Sequence, residues 1–220
     1  MKKNKIKTLN ISFLTAFVCI AVLSFSCTRS APEITYGFLQ LVLYEGQDGP
    51  QEYFSLFIMP QDEDGIDNLD ELYLFHDREQ LRWKITSDEW LHYNNDGKDW
   101  IGTRSIAVAE GDLPRGMYRA VLVNKGGEST ERNFTYDGNV RFTFPEIEIS
   151  GGQYTVKSQW PVNRLVCYDS NGNYLSTVNL SSLSGSVHNL GLPSGARTAA
   201  LWTEDELNFC SAYTNVVPVN

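Results

Sequence analysis

The sequence predicts an all-β chain: two tandem β-sandwich modules behind an N-terminal leader. Apolar runs of strand length alternate with clusters of Gly, Pro, Asn and Asp, the pattern of short strands joined by turns. No window sustains the three-to-four-residue apolar spacing of an amphipathic helix. The second half of the chain also repeats the strand and turn order of the first in a shorter form.

The leader comes first. Lys2, Lys3, Lys5 and Lys7 precede an apolar run from Ile11 to Phe25, followed by Ser26 and Cys27. A run of this length is short for a bilayer, which takes about 20 apolar residues to cross as a helix. The order of charged, apolar and small residues is that of an export signal, and it resembles a bacterial lipoprotein signal peptide. That resemblance implies removal of residues 1–26, acylation of Cys27 and a short tether over 27–32. It also implies a mature chain held on a membrane of the cell envelope without crossing it, since acyl chains can anchor what no helix spans.

The first module is expected over 33–144. Its apolar strand Phe38–Tyr44 ends at Gly46-Gln47-Asp48-Gly49-Pro50, and Tyr53–Met59 ends at Pro60. An acidic loop over 61–70 leads into Leu72–His76, and Asp77-Arg78-Glu79-Gln80 turns the chain into Leu81–Ile85. A long polar and aromatic excursion over 87–112 follows. Gly116–Asn124 and Arg132–Tyr136 then make a hairpin about Lys125-Gly126-Gly127.

The second module is expected over 145–220. Tyr154–Trp160 before Pro161 echoes Tyr53–Met59 before Pro60, and Arg164–Tyr168 before Asp169 echoes Leu72–His76 before Asp77. Leu113-Pro114-Arg115-Gly116 with Ala120 and Leu122 matches Leu192-Pro193-Ser194-Gly195 with Ala199 and Leu201 at the same spacing. On these turns the chain resembles immunoglobulin-like and fibronectin type III-like modules of bacterial envelope proteins, which implies a pair of sandwiches.

Without the four leader lysines, fourteen basic residues stand against 27 acidic ones, a net charge of −13. Such a surface repels phosphate backbones, so nucleic acid is excluded as a partner. Cys19 leaves with the leader and Cys27 takes lipid. Cys167 and Cys210 remain as a candidate disulfide in an oxidising compartment. A fibronectin-like strand order would place another strand between them, whereas a small module gains from a staple.

Two stretches are candidates for chemistry. Asp62, Asp64, Asp67 and Asp70 carry carboxylates at calcium-loop spacing around Gly65, but Tyr73 stands where the bidentate Glu of an EF-hand belongs. An acidic turn explains the same residues. In the excursion, Trp90, Tyr93 and Trp100 lie among Asn94, Asn95, Asp96 and Asp99, a pairing of apolar platforms and polar groups suited to a glycan. The competing reading makes Trp90 and Trp100 core plugs, with 94–98 a hairpin tip.

No cofactor motif is present, and His76, His92 and His188 stand in no nucleophile or zinc pattern. The expected function is therefore non-catalytic: binding a glycan or protein ligand, or spacing a surface from the membrane. An accessory subunit of an envelope assembly is the alternative, and a hydrolase with a spatially assembled site comes third.

Overall fold

The computed structural model describes residues 30–219, and from Ala31 onward these form one compact unit. The expected signal peptide, the acylated Cys27 and most of the tether lie outside the described residues.

The first half contributes β1 (Glu33–Gly46), β2 (Gly49–Gln61), β3 (Leu69–His76), β4 (Leu81–Thr86), β5 (Leu91–Asn95), β6 (Lys98–Ile106), β7 (Gly116–Asn124) and β8 (Ser129–Tyr136). The second contributes β9 (Glu146–Ser150), β10 (Gln153–Lys157), β11 (Val162–Tyr168), β12 (Tyr174–Asn179), β13 (Ser184–Ser186), β14 (Thr198–Asp205), β15 (Cys210–Tyr213) and β16 (Val217–Pro218). The chain is all-β, as expected. The excursion over 87–112 holds the hairpin β5–β6, whose turn at Asp96-Gly97 uses two left-handed residues, the conformation that twists a tight hairpin correctly.

In the first half β1-β2-β6-β5 face β4-β3-β7-β8, and in the second β13-β10-β9 face β12-β11-β14-β15. Both orders are those of an immunoglobulin-like sandwich. The first half also carries a tyrosine corner: the buried Tyr118, at the start of β7, donates its hydroxyl to the Pro114 carbonyl at 2.6 Å. This bond pins the Leu-Pro-x-Gly turn onto the strand that follows. In the second copy Arg197 occupies the equivalent position.

The expected boundary at 144/145 falls between β8 and β9, but the two sandwiches share a sheet. Strand β15 runs parallel to β1, pairing Leu41 with Cys210 and Leu43 with Ala212. One nine-stranded sheet therefore crosses both halves. Cys210 and Ala212 sit in the first core beside Leu41, Leu43, Phe54 and Leu74, and Trp160 joins them from the second half. A smaller core gathers Tyr154, Val156, Leu165, Leu201 and Val219.

The candidate disulfide is not formed, and both cysteines are free and buried. Strand β14 lies between their strands, with Cys167 opposite Ala199 and Cys210 opposite Asp205. Those partners are six residues apart on β14, about 20 Å at strand rise, far beyond the bridging limit of about 7 Å. The two thiols belong to different cores. Burial raises the Cys167 thiol and pushes that of Cys210 up to about 11.

Two outcomes follow from this packing. Tyr118→Phe removes one buried hydrogen bond and orphans the Pro114 carbonyl, at a cost of about 1–3 kcal/mol, read as a lower urea midpoint at unchanged slope. In the chain starting at Thr28, both thiols resist an aqueous thiol reagent until denaturant is added, and both then react. A protein that stays unreactive when unfolded without reductant would mean that they are bridged.

Candidate functional site

Side-chain alternation decides which face of the long sheet is covered. Along β14, Ala199 and Leu201 point into the second core, while Thr203 and Asp205 share that face and pair with Ala212 and Cys210 of the first. Both cores therefore lie on one side of the sheet. Its other side is covered by no further sheet among the described residues. It is nonetheless rich in aromatic rings, and these bury residues assigned to neither core: Val42, Ser55, Phe57, Val166, Ala200 and Ser211.

One aromatic cluster lies at the end where β1 begins. Tyr36 meets Trp100 edge-on at 5.8 Å, Phe38 touches Trp100 at 5.9 Å and Phe57 at 5.7 Å, and Phe57 touches Tyr93 at 5.8 Å. Tyr93 and Trp100 are directly paired across β5 and β6. The Arg104 guanidinium lies 5.9 Å from both the Phe57 and Tyr93 rings. Gly102 makes the cluster possible: it sits opposite Phe57, and a Cβ there would come within 2.0 Å of the Leu56 carbonyl oxygen. Tyr36 is 52% and Tyr93 44% exposed, so the cluster presents ring surface to solvent.

A second cluster lies at the far end of β1. Tyr44 packs edge-on against Tyr53 at 5.3 Å and contacts Tyr213 at 5.8 Å. The Tyr213 and Tyr168 hydroxyls are hydrogen-bonded to each other. Burial, then this bond, raises the Tyr213 phenol above its ordinary value, and burial does the same for Tyr44. Near the seam a polar group contains residues of both halves. Arg164 lies 5.1 Å over the Trp202 ring and pairs with Glu204 at 2.8 Å, while Gln40 donates to Glu204 at 3.4 Å.

The sequence-predicted residues separate. Tyr93 and Trp100 meet on the open face. Trp90 packs against the first core and lines a shallow depression with Ile66, Leu69, His92 and Lys125. The polar residues of the hairpin brace it from within: Asp99 accepts from Asn94 at 2.9 Å and contacts His92 Nε2 at 2.8 Å. Sequence reasoning missed Tyr36, Phe38, Phe57 and Arg104 as companions of Trp100. For Tyr36 and Phe38 the signal was the apolar loading of both faces of β1.

The acidic loop closes a turn on itself. Asp62 Oδ1 accepts from the Asp64 amide at 2.8 Å and from Asn68 Nδ2 at 3.1 Å, closing a turn. Among the described residues no group of three or more His, Cys, Asp or Glu is placed to hold a metal, so Asp62, Asp64, Asp67 and Asp70 do not converge. The histidines are dispersed: buried His76 accepts the Glu79 amide through Nδ1, His92 braces the hairpin, and His188 lies in a 3-10 turn.

No family model matches the chain, and no curated protein matches it. Among solved structures, Tp47, the 47-kilodalton lipoprotein of Treponema pallidum, is similar at 14% identity and a TM-score of 0.45, over 86% of this chain and 52% of that one. This chain thus spans about half the length of Tp47. Dimeric latent PorU from Porphyromonas gingivalis gives 12% identity and a TM-score of 0.32, over 87% of this chain and 20% of its own. Murine CEACAM1b gives 9% identity and a TM-score of 0.27, over 84% and 99%. With every TM-score under 0.5, these likenesses carry no argument about function.

Hydrogen bonds from Asn94, then His92, hold the Asp99 carboxyl below the usual carboxylate range. A depressed folded-state pKa stabilises the hairpin in full above the ordinary aspartate value, and this contribution fades as pH falls through the lowered one. Carboxyl NMR titration is expected to find Asp99 below a free aspartate, and Asn94→Ala to move it back up.

Proposed function

We propose that this chain is a lipid-anchored, non-catalytic protein of a bacterial cell envelope that binds a glycan or protein ligand through the open face of its long sheet. The observation that carries the reading is that face itself, on which both halves contribute solvent-facing rings on the side away from both cores. Aromatic rings beside oriented polar groups provide apolar area and directional bonds together. Arg164, Trp202, Glu204 and Gln40 are such a group. The anchor rests on the residue pattern ending at Cys27, which places the folded unit at the end of a short tether.

The two halves of the reading are tested separately. Cys27→Ser is expected to move the protein from the membrane fraction to the soluble fraction of its host, and retention in the membrane would sink the anchor. Of the five tryptophans, Trp100 and Trp202 are on the open face, while Trp83, Trp90 and Trp160 pack in or against the first core. Titrating the chain from Thr28 with envelope glycans is expected to shift tryptophan emission, and Trp202→Ala to abolish the shift. No response to any glycan, together with unchanged capture of envelope proteins by Trp202→Ala, would remove the open face as the binding surface.

An accessory role in an envelope assembly is favoured by one observation. Strand β5 is an edge of the long sheet with all five residues exposed, and an unpaired edge invites an added strand. A photocrosslinker at Asn94 that captures one envelope protein would support this role over ligand binding.

A further inference from the structure

The end of the open face nearest the tether differs from the rest in the groups it carries. Tyr36 pairs with Met59 across β1 and β2, Tyr93 pairs with Trp100 across β5 and β6, and Tyr36 touches Trp100. These four side chains make a row across four strands that contains no carboxylate, in a chain whose mature charge is −13. Behind the row stand Phe38 and Phe57, and Arg104 supplies a cation over the Tyr93 ring. In the far cluster, by contrast, Tyr44 and Tyr53 pack edge to face, the Tyr53 hydroxyl donates to Gln51, and the Tyr168 and Tyr213 hydroxyls bond to each other.

The position of this row follows from the chain leading to it. Strand β1 begins at Glu33, six residues after Cys27, a span of roughly 20 Å at most when fully extended. Tyr36 lies three residues further, about 10 Å along the strand. An anchor at Cys27 therefore keeps Tyr36, at the β1 end of the row, within about 30 Å of the bilayer surface. Tyr and Trp favour the membrane–water interface, where the ring is apolar and the N–H or O–H stays wet. A patch too weak to bind lipid from solution still binds when a short tether makes the encounter intramolecular, with an effective concentration in the millimolar range.

From this juxtaposition we infer that Tyr36, Met59, Tyr93 and Trp100 form a membrane-interface contact that lays the tether end of the sheet onto the bilayer. The partner is a lipid surface, engaged through apolar and aromatic groups. The contact rests on the anchored reading above, and Trp202 and the seam group lie further along the same face, beside the far end of β1.

The test reproduces the tether chemically, so it is independent of whether the host acylates Cys27. In the chain beginning at Cys27, that thiol is the coupling site, and Cys167 and Cys210 are fully buried. It is coupled to a maleimide-headgroup lipid in phosphatidylcholine vesicles carrying bromine high on the acyl chains. The Trp100 contribution is taken as the difference from Trp100→Phe. The expected result is a blue shift and loss of Trp100 emission on coupling, with Trp202 unaffected. Tyr36→Glu, a substitution at an exposed position, should restore the emission without changing the circular dichroism.

Unquenched Trp100 on fully coupled protein would mean that the molecule stands upright, and would overturn the contact. A Trp100 response that appears with protein concentration and without vesicles would assign the face to a second copy. A response to soluble glycan but not to lipid would assign it to a sugar, and each of these results likewise overturns the lipid contact. Native acylation is read separately, from the mass of the detergent-extracted host protein. Failure of the anchor and failure of the contact are thus distinguishable.

Discussion

The parallel pairing of β1 with β15 is the constraint on which the rest of the molecule depends. An immunoglobulin-like sandwich is closed by itself, and two in tandem ordinarily meet through a linker and a modest interface. Here the last long strand of the second sandwich is laid alongside the first strand of the first, so that Leu41 through Tyr44 run beside Cys210 through Tyr213. Backbone hydrogen bonding replaces a hinge. Cys210 and Ala212 are then obliged to fill the first core, and their outward neighbours Ser211 and Tyr213 become part of a face that neither sandwich has alone.

Much of the strand layout was legible because the signals were local. Within the strand Gly116–Asn124, residues 118–124 alternate between buried and half-buried positions, and the strand begins and ends where the pattern says. The repeated Leu-Pro-x-Gly turn marked equivalent strands in both halves, and the structure adds the reason in the first: the Tyr118 hydroxyl closes the turn. The second copy does without that bond, and there the Arg197 amide donates to Tyr168 across the sheet instead.

What the sequence did not disclose was non-local. Nothing in Leu41 or Cys210 announces a parallel partner well over a hundred residues away, since a parallel pair needs no turn of its own. Polar residues obscured the β5–β6 hairpin, because its edge strand is exposed on both faces and lacks apolar alternation. The aromatic excursion consequently read as a loop around Trp90, Tyr93 and Trp100, when strand pairing divides these three between the two sides of the sheet. The acidic loop and the cysteine pair each had a local reading that geometry supports: Asp62 turns back on its own chain, and β14 stands between the thiols.

The double-sided pairing of β1 also has a mechanical consequence. Strand β1 is bonded to β2 along nearly its whole length and to β15 along its far end. A load entering at the N-terminus and leaving through the second half must travel along β1 and cross sideways into its neighbours. Rows of hydrogen bonds stressed in that way slide as a group, and do not peel apart one at a time. The molecule is therefore arranged to transmit a pull from its N-terminal end to the second sandwich while keeping both cores shut.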